Sequence, residues 1–461
     1  MAAPVETATK QRALLGLVCA GIATLIVIGR GAPALVFIAV VAGTFVAYAV
    51  LIRSLTRRRI IGARALILAC LGLTVFAVAM PARTSNDVYA YIMYGRIVAE
   101  HHASPYTHVP ADYPDDPALQ RVQPVFKNTP SVYGPVFTGV SAAGMGACGS
   151  SPLCGRMFFQ MLEGLALLGA ARLVLRATGS WVAAACVGLN PVMLVSVVNG
   201  GHPDGLVATG LLTAVLIARE RPVLAGGLLG IAALIKVNVL LPAVVLIGWL
   251  LVRDDKRKAL TVGGTMGGVG VAGYLAAGGA RALGPLHHAS LLVSHHSVWY
   301  AARGWIANAL VGGGWTQARA ADYAAHLVPV LGLITIVAIA LLVAGGRARG
   351  HGLVPVVAAA LAVYVLVAPY VLPWYTAPLI ALLALRWRSR TTWVLLAYSA
   401  LLFVAYPSSY PVHRTFTSMI LPTTAVSVLP VVELLLLVTI AVTAWRPRPK
   451  TRRAGALAEP S

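Results

Sequence analysis

"ALILACLGLTVFAVAMPARTSNDVYAYIMYGR", residues 65–96, changes character within a few positions. Its first half is an apolar run that, as a helix, crosses most of a bilayer core, which needs roughly 20 residues. Its second half carries Asn86, Asp87, Tyr89, Tyr91, Tyr94 and Arg96. An ionisable group at membrane depth costs several kcal/mol unless it is paired or wetted, so Asp87 is a functional candidate from its position alone. The aromatic spacing predicts a short amphipathic helix lying in the interface.

The rest of the chain follows the first half of that stretch. Of 461 residues, 59% are hydrophobic and only 11% charged, and the mean hydropathy is +0.82. This composition excludes a soluble globular protein. Apolar windows recur along the whole length and no strand-like alternation accompanies them, so the fold class is an all-α polytopic membrane protein of about 12–14 spans. Residues 14–29, "LLGLVCAGIATLIVIG", are read as a first membrane anchor and not as a cleaved leader, because no small-residue cleavage site precedes a soluble domain. The short segments 222–236, 238–252 and 374–386 are expected to be broken or tilted.

The formal net charge of +22 raises a nucleic-acid reading. The basic residues sit instead in short loops such as "RSLTRRR" (53–59), "RDDKRK" (253–258) and "RWRSR" (386–390), as the positive-inside rule requires. No nucleic-acid partner is expected. With Lys10 and Arg12 inside, the polar and aromatic connections all fall on the outer face. These are 81–133, 199–205, the surroundings of Lys236, 281–325, 369–375 and 406–415, and Asp87 falls there too. "GPVFTGVSAAGMGA" (134–147) is then a re-entrant or surface helix, and 156–176 a crossing.

Four motifs carry chemistry on that face. Asp87, partly desolvated, suits a general base. "LNPVMLVSVVNGGHPDGL" (189–206) ends in Asn199, His202 and Asp204, more polarity than a tight turn needs; with Tyr91 they suit acceptor binding. Lys236, in "GLLGIAALIKVNVLLP" (227–242), suits a phosphate as a point charge, and Arg414 and Tyr375 are its candidate partners. Paired histidines at 287–288 and 295–296 lack accompanying carboxylates or thiolates at ligand spacing, so no metal site is expected. Cys148 and Cys154 would face an oxidising compartment, either bridged or as two thiols. No Walker, Rossmann, HExxH or GxSxG signature is present, which removes support from nucleotide-driven transport, hydride transfer and hydrolase chemistry.

"SNDVYAYIMYGRIVAEHHASPYTHVP", "NTPSVYGPVF", "LNPVMLVSVVNGGHPDGL", "GLLGIAALIKVNVLLP" and "YVLPWY", in this order, resemble the GT-C type membrane glycosyltransferases. They are most similar to the actinobacterial polyprenol-phosphomannose-dependent α-1,6-mannosyltransferases. The resemblance covers roughly residues 60–415. It implies a polyprenyl-phosphate-mannose donor as lipid co-substrate, a lipid-anchored glycan acceptor, an inverting displacement, Asp87 as base, and no further cofactor, a divalent metal being optional. Arabinofuranosyl or glucosyl transfer on the same scaffold, and a flippase for lipid-linked sugars, are the alternatives. Residues 1–59 then form an N-terminal helical hairpin, 60–445 a GT-C catalytic domain in the plasma membrane with its site outside, and 446–461 a basic cytoplasmic tail.

Overall fold

The computed structural model describes residues 2–59, 61–253, 255–286, 291–348, 351–406 and 426–445. Among the described residues every regular element is a helix, as the composition requires. The chain begins with α1 (Ala2–Ile28) and α2 (Ala34–Arg57), separated at Gly29, Gly31 and Pro33 and packed on each other as an antiparallel pair. The third helix, α3 (Ala63–Ala79), leads to Pro81 and then to α4 (Asp87–Ala99). Next come α5 (Pro135–Cys148), with Pro135 at its first position, and α6 (Pro152–Thr178). The Ser151 hydroxyl caps α6 by accepting the Cys154 amide, and Gly179 ends it in a left-handed conformation.

Asn190-Pro191 breaks the following span. Its first half is α7 (Trp181–Gly188), its second a π-helix over Val192–Asn199, and the two meet at 49°. π-turns within helices recur at functional sites, because the widened turn re-aims the residues after it. Here those residues are His202 and Asp204, the latter opening α8 (Asp204–Ile217). Beyond it lie α9 (Pro222–Ala233), α10 (Leu240–Val252), α11 (Lys256–Ala276), α12 (Val298–Gly312) and α13 (Gln317–Ala348). The described chain closes with α14 (Leu353–Val367), α15 (Ala377–Ala384), α16 (Arg390–Ala405) and α17 (Leu429–Trp445).

Among the described residues, five helices are long and apolar enough to cross a membrane, or six if the bent pair is one span, and eight further apolar helices have 10–17 residues. The protein is therefore a multi-pass membrane protein. The segments expected to be short are so: α9, α10 and α15 have 12, 13 and 8 residues. Exposed leucines and valines on the long helices, such as Leu333 and Leu341 of α13, face where lipid would lie. The expected surface helix over 87–99 is different. α4 is buried on nearly all sides, from Val88 to Ile97, between α5 and α6. A Cβ on Gly95 would stand 2.5 Å from the Ser141 carbonyl oxygen, so glycine permits the close crossing of α4 and α5. The tyrosine hydroxyls, which argued for an interface, find internal partners instead: Tyr94 donates to the Thr129 carbonyl at 2.9 Å.

Candidate active site

Asp87 stands at the N-terminus of α4, where the helix dipole favours a carboxylate, and its own amide meets Ser85 Oγ at 3.2 Å. The side chain is about 10% exposed. Gln123 Nε2 donates to Oδ1 at 3.3 Å, and His202 Nδ1 lies 4.0 Å from Oδ2. Three buried rings continue from there. The Tyr133 hydroxyl donates to that of Tyr91 at 3.0 Å, which lies 3.0 Å from His202 Nδ1. The Tyr91 hydroxyl thus links Tyr133 to Nδ1 of the His202 ring. Trp374 stacks on that imidazole at 3.5 Å and 10°, fixing its plane.

A second group adjoins the first. Lys236 Nζ is 2.9 Å from both oxygens of Asp204 and 3.7 Å from the centroid of the Tyr375 ring. Glu163 of α6 reaches the same helix start, its Oε2 accepting the Leu206 amide at 3.3 Å. A Cβ on Gly205 would stand 2.2 Å from that oxygen, so the glycine of "HPDG" is what admits the carboxylate. Two buried carboxylates thus meet at one helix start, one paired with Lys236 and the other hydrogen-bonded to the backbone, as buried charges must be.

Backbone latches bring these motifs together from distant parts of the chain. The amides of Gly134 and Val136 donate to the Ile235 and Leu234 carbonyls, setting Tyr133 beside Lys236. Asn199 Nδ2 donates to the carbonyls of Ala77 (2.9 Å), Met80 (3.1 Å) and Pro81 (3.2 Å), tying the π-helix to the end of α3 just before Asp87. Ser294 and His296 bond the Pro369 and Val371 backbone, bracing the segment that carries Trp374 and Tyr375.

The outer loop is pinned at Arg96. Its guanidinium holds Asp116 through Nε at 2.9 and 3.0 Å and the Gly149 carbonyl at 2.7 Å, while His101 Nε2 lies 2.9 Å from Asp116. Gly149 belongs to the loop closed by the Cys148–Cys154 disulfide, whose Cα atoms are 5.4 Å apart. Burial alone would raise the Asp116 carboxyl, but the Ala118 amide, His101 and Arg96 together hold it below its ordinary value. A depressed carboxyl contributes stability that is present above its unfolded value and lost as pH falls through the folded one. Hydrogen exchange over residues 100–134 should therefore speed up on acidification below the ordinary carboxylate range. Asp116→Asn should remove that pH dependence and lower stability by about 3 kcal/mol at neutral pH. An unaltered acid profile in the variant would assign the anchoring elsewhere.

One family model, described as alpha-(1->6)-mannopyranosyltransferase, N-terminal domain, matches residues 2–253, more than half of the 461-residue chain. The chain belongs to this family of GT-C mannosyltransferases. A second model, glycosyltransferase family 87, matches residues 133–407. The Alpha-(1->6)-mannopyranosyltransferase A of Corynebacterium glutamicum is 30% identical over 191 residues, 38% of this chain and 38% of that protein. The aligned part of the chain thus spans well under half the length of this relative. No solved structure matches.

In this family member, Asp87, Tyr91, His202, Asp204, Lys236 and Tyr375 gather in one place through the contacts above. Asn199 does not present its amide there, since the amide nitrogen is engaged by α3 carbonyls. Arg414, His287, His288 and the basic tail lie outside the described residues. Among the described residues, no group of three or more His, Cys, Asp or Glu could hold a metal ion, and His296 turns to Glu433 at 3.5 Å. Gln123, Tyr133, Glu163 and Trp374 are additions that the sequence reading lacks. Glu163 had a signal: in "FFQMLEGLALLG" it is a lone carboxylate inside an apolar span.

Proposed function

We propose that the protein transfers mannose from polyprenyl-phosphate-mannose to a lipid-anchored glycan on the extracytoplasmic face of the plasma membrane, forming an α-1,6 linkage with inversion. The observation that carries the reading is a buried carboxylate, Asp87, 4.0 Å from the His202 imidazole, in a chain matched by a mannopyranosyltransferase family model. Asp87 takes the proton of the acceptor hydroxyl while that oxygen attacks the anomeric carbon, and the bond from that carbon to the phosphate oxygen breaks. Charge grows on the departing phosphate, and Lys236 balances that charge, with Arg414 as the second cation that the sequence offers for it. Tyr91, His202 and Asp204 set the acceptor side. The donor is already an activated phosphodiester, so no nucleotide enters the step. The disulfide supports the outward orientation, because it is joined through Gly149 and Arg96 to the helix that Asp87 begins, and disulfides persist in oxidising compartments.

Membranes from an overexpressing strain, given radiolabelled polyprenyl-phosphate-mannose and a synthetic mannose disaccharide, should yield a labelled trisaccharide that α-mannosidase cleaves. Label that stays on the lipid while the lipid changes leaflet would identify a flippase instead.

A further inference from the structure

A second polar cavity, of about 90 Å³, lies at the opposite ends of α14 and α15 from Trp374, roughly 18 Å away by helical rise. Arg347 near the end of α13 lines it, as do His351 and, at the corner between α15 and α16, Arg386, Ser389, Thr391 and Thr392. None of the described residues that line it is acidic. Arg347 and Arg386 both border it, so two like charges face one space. Arg347 rests Nη2 on Thr443 Oγ1 at 3.2 Å and on the Ile440 carbonyl at 3.4 Å, while its buried Nε has no hydrogen-bond partner among the described residues. Ser389, at the N-cap of the 16-residue α16, makes no side-chain cap bond, so the first amides of that helix remain as donors. Ala358 and Ala359 of α14 and Leu395 of α16 continue the wall as apolar surface.

Two arginines that no described carboxylate pairs, hydroxyls and a helix start around a space of this size make a receptor for a tetrahedral anion, since guanidinium forks match phosphate oxygens. We propose that this corner binds a phosphate-bearing anion. The apolar flank beside the arginines suits the glycerol end of an acidic phospholipid headgroup.

The test uses the full-length protein in a neutral detergent, with phosphatidylglycerol, phosphatidylcholine and inorganic phosphate as probes. Native mass spectrometry and the thermal unfolding midpoint are the readouts. Phosphatidylglycerol should raise the midpoint and remain bound, whereas phosphatidylcholine should do neither. Arg347→Gln combined with Arg386→Gln should weaken that binding at least about tenfold per arginine. The same variant should raise the midpoint without lipid, since the repulsion is gone. Arg386→Glu, at an exposed position, closes the cavity with an internal ion pair and should abolish binding in a protein that still folds. Protection by inorganic phosphate, with nothing added by the lipid, assigns the same site to a soluble phosphate. Equal responses of wild type and variants to every probe, or equal protection by phosphatidylcholine, would overturn the proposal.

Discussion

Asp87→Asn should leave a folded protein that transfers mannose about a thousandfold more slowly, with the KM for donor and acceptor nearly unchanged. The amide keeps the shape of the carboxylate and still accepts from Gln123, whose Nε2 lies 3.3 Å from Oδ1. What it cannot do is take a proton. The loss therefore falls on turnover and not on binding, which separates a base from a residue that merely orients the acceptor. His202→Phe should cost less. It removes the Tyr91 bond to Nδ1 while keeping a ring against Trp374, so the carboxylate survives with a looser setting. Measuring initial rates on the disaccharide acceptor, with the unfolding midpoint of each variant alongside, distinguishes these cases. Turnover of Asp87→Asn within about tenfold of wild type would end the assignment, because a general base contributes 10²–10⁴-fold.

Much of the fold was legible because lipid imposes one solution on an apolar chain: each crossing must satisfy its own backbone, so long apolar runs read as helices. Five of the expected spans are full-length helices, and the short ones fell where Pro222, Pro242 and Pro373 interrupt the pattern. The burial of α4 was not legible. Tyr91, Tyr94 and Arg96 read as an interfacial face because their partners, His202, Thr129 and Asp116, are up to 111 positions away. Polarity announces that a group needs a partner but not where the partner is. The same limit applies to the site. Lys236 and Asp204 were each visible as ionisable groups at membrane depth, yet their pairing rests on the latch between the start of α5 and the Leu234 and Ile235 carbonyls. The role of Trp374 in "YVLPWY" is not legible there, since nothing in a linear pattern indicates which of two adjacent aromatics stacks on an imidazole and which on an ammonium.

That pairing gives the second large effect. Asp204→Ala leaves the Lys236 ammonium beside Tyr375 without the carboxylate it bonds, and Lys236→Ala leaves the Asp204 carboxylate without its cation. Removing one partner of a buried pair costs about 3–5 kcal/mol, a large share of the 5–15 kcal/mol by which folded proteins are stable. Each single variant should therefore unfold at markedly lower denaturant and accumulate poorly. Replacing both, Lys236→Met with Asp204→Leu, removes the isolated charge along with the pair, so stability should recover most of the way, as buried ion pairs are often no better than packed hydrophobes. Activity should not recover. The balancing of charge on the departing phosphate is a property of the ammonium, and methionine keeps its length without its charge. The double variant thus separates the two roles of Lys236 that a single substitution confounds. If Lys236→Met alone is as stable as wild type, the ion pair is not what holds α8 to the segment preceding α10. If the stable double variant transfers mannose within about tenfold of wild type, the lysine plays no part in the displacement, and the phosphate must be met by another cation.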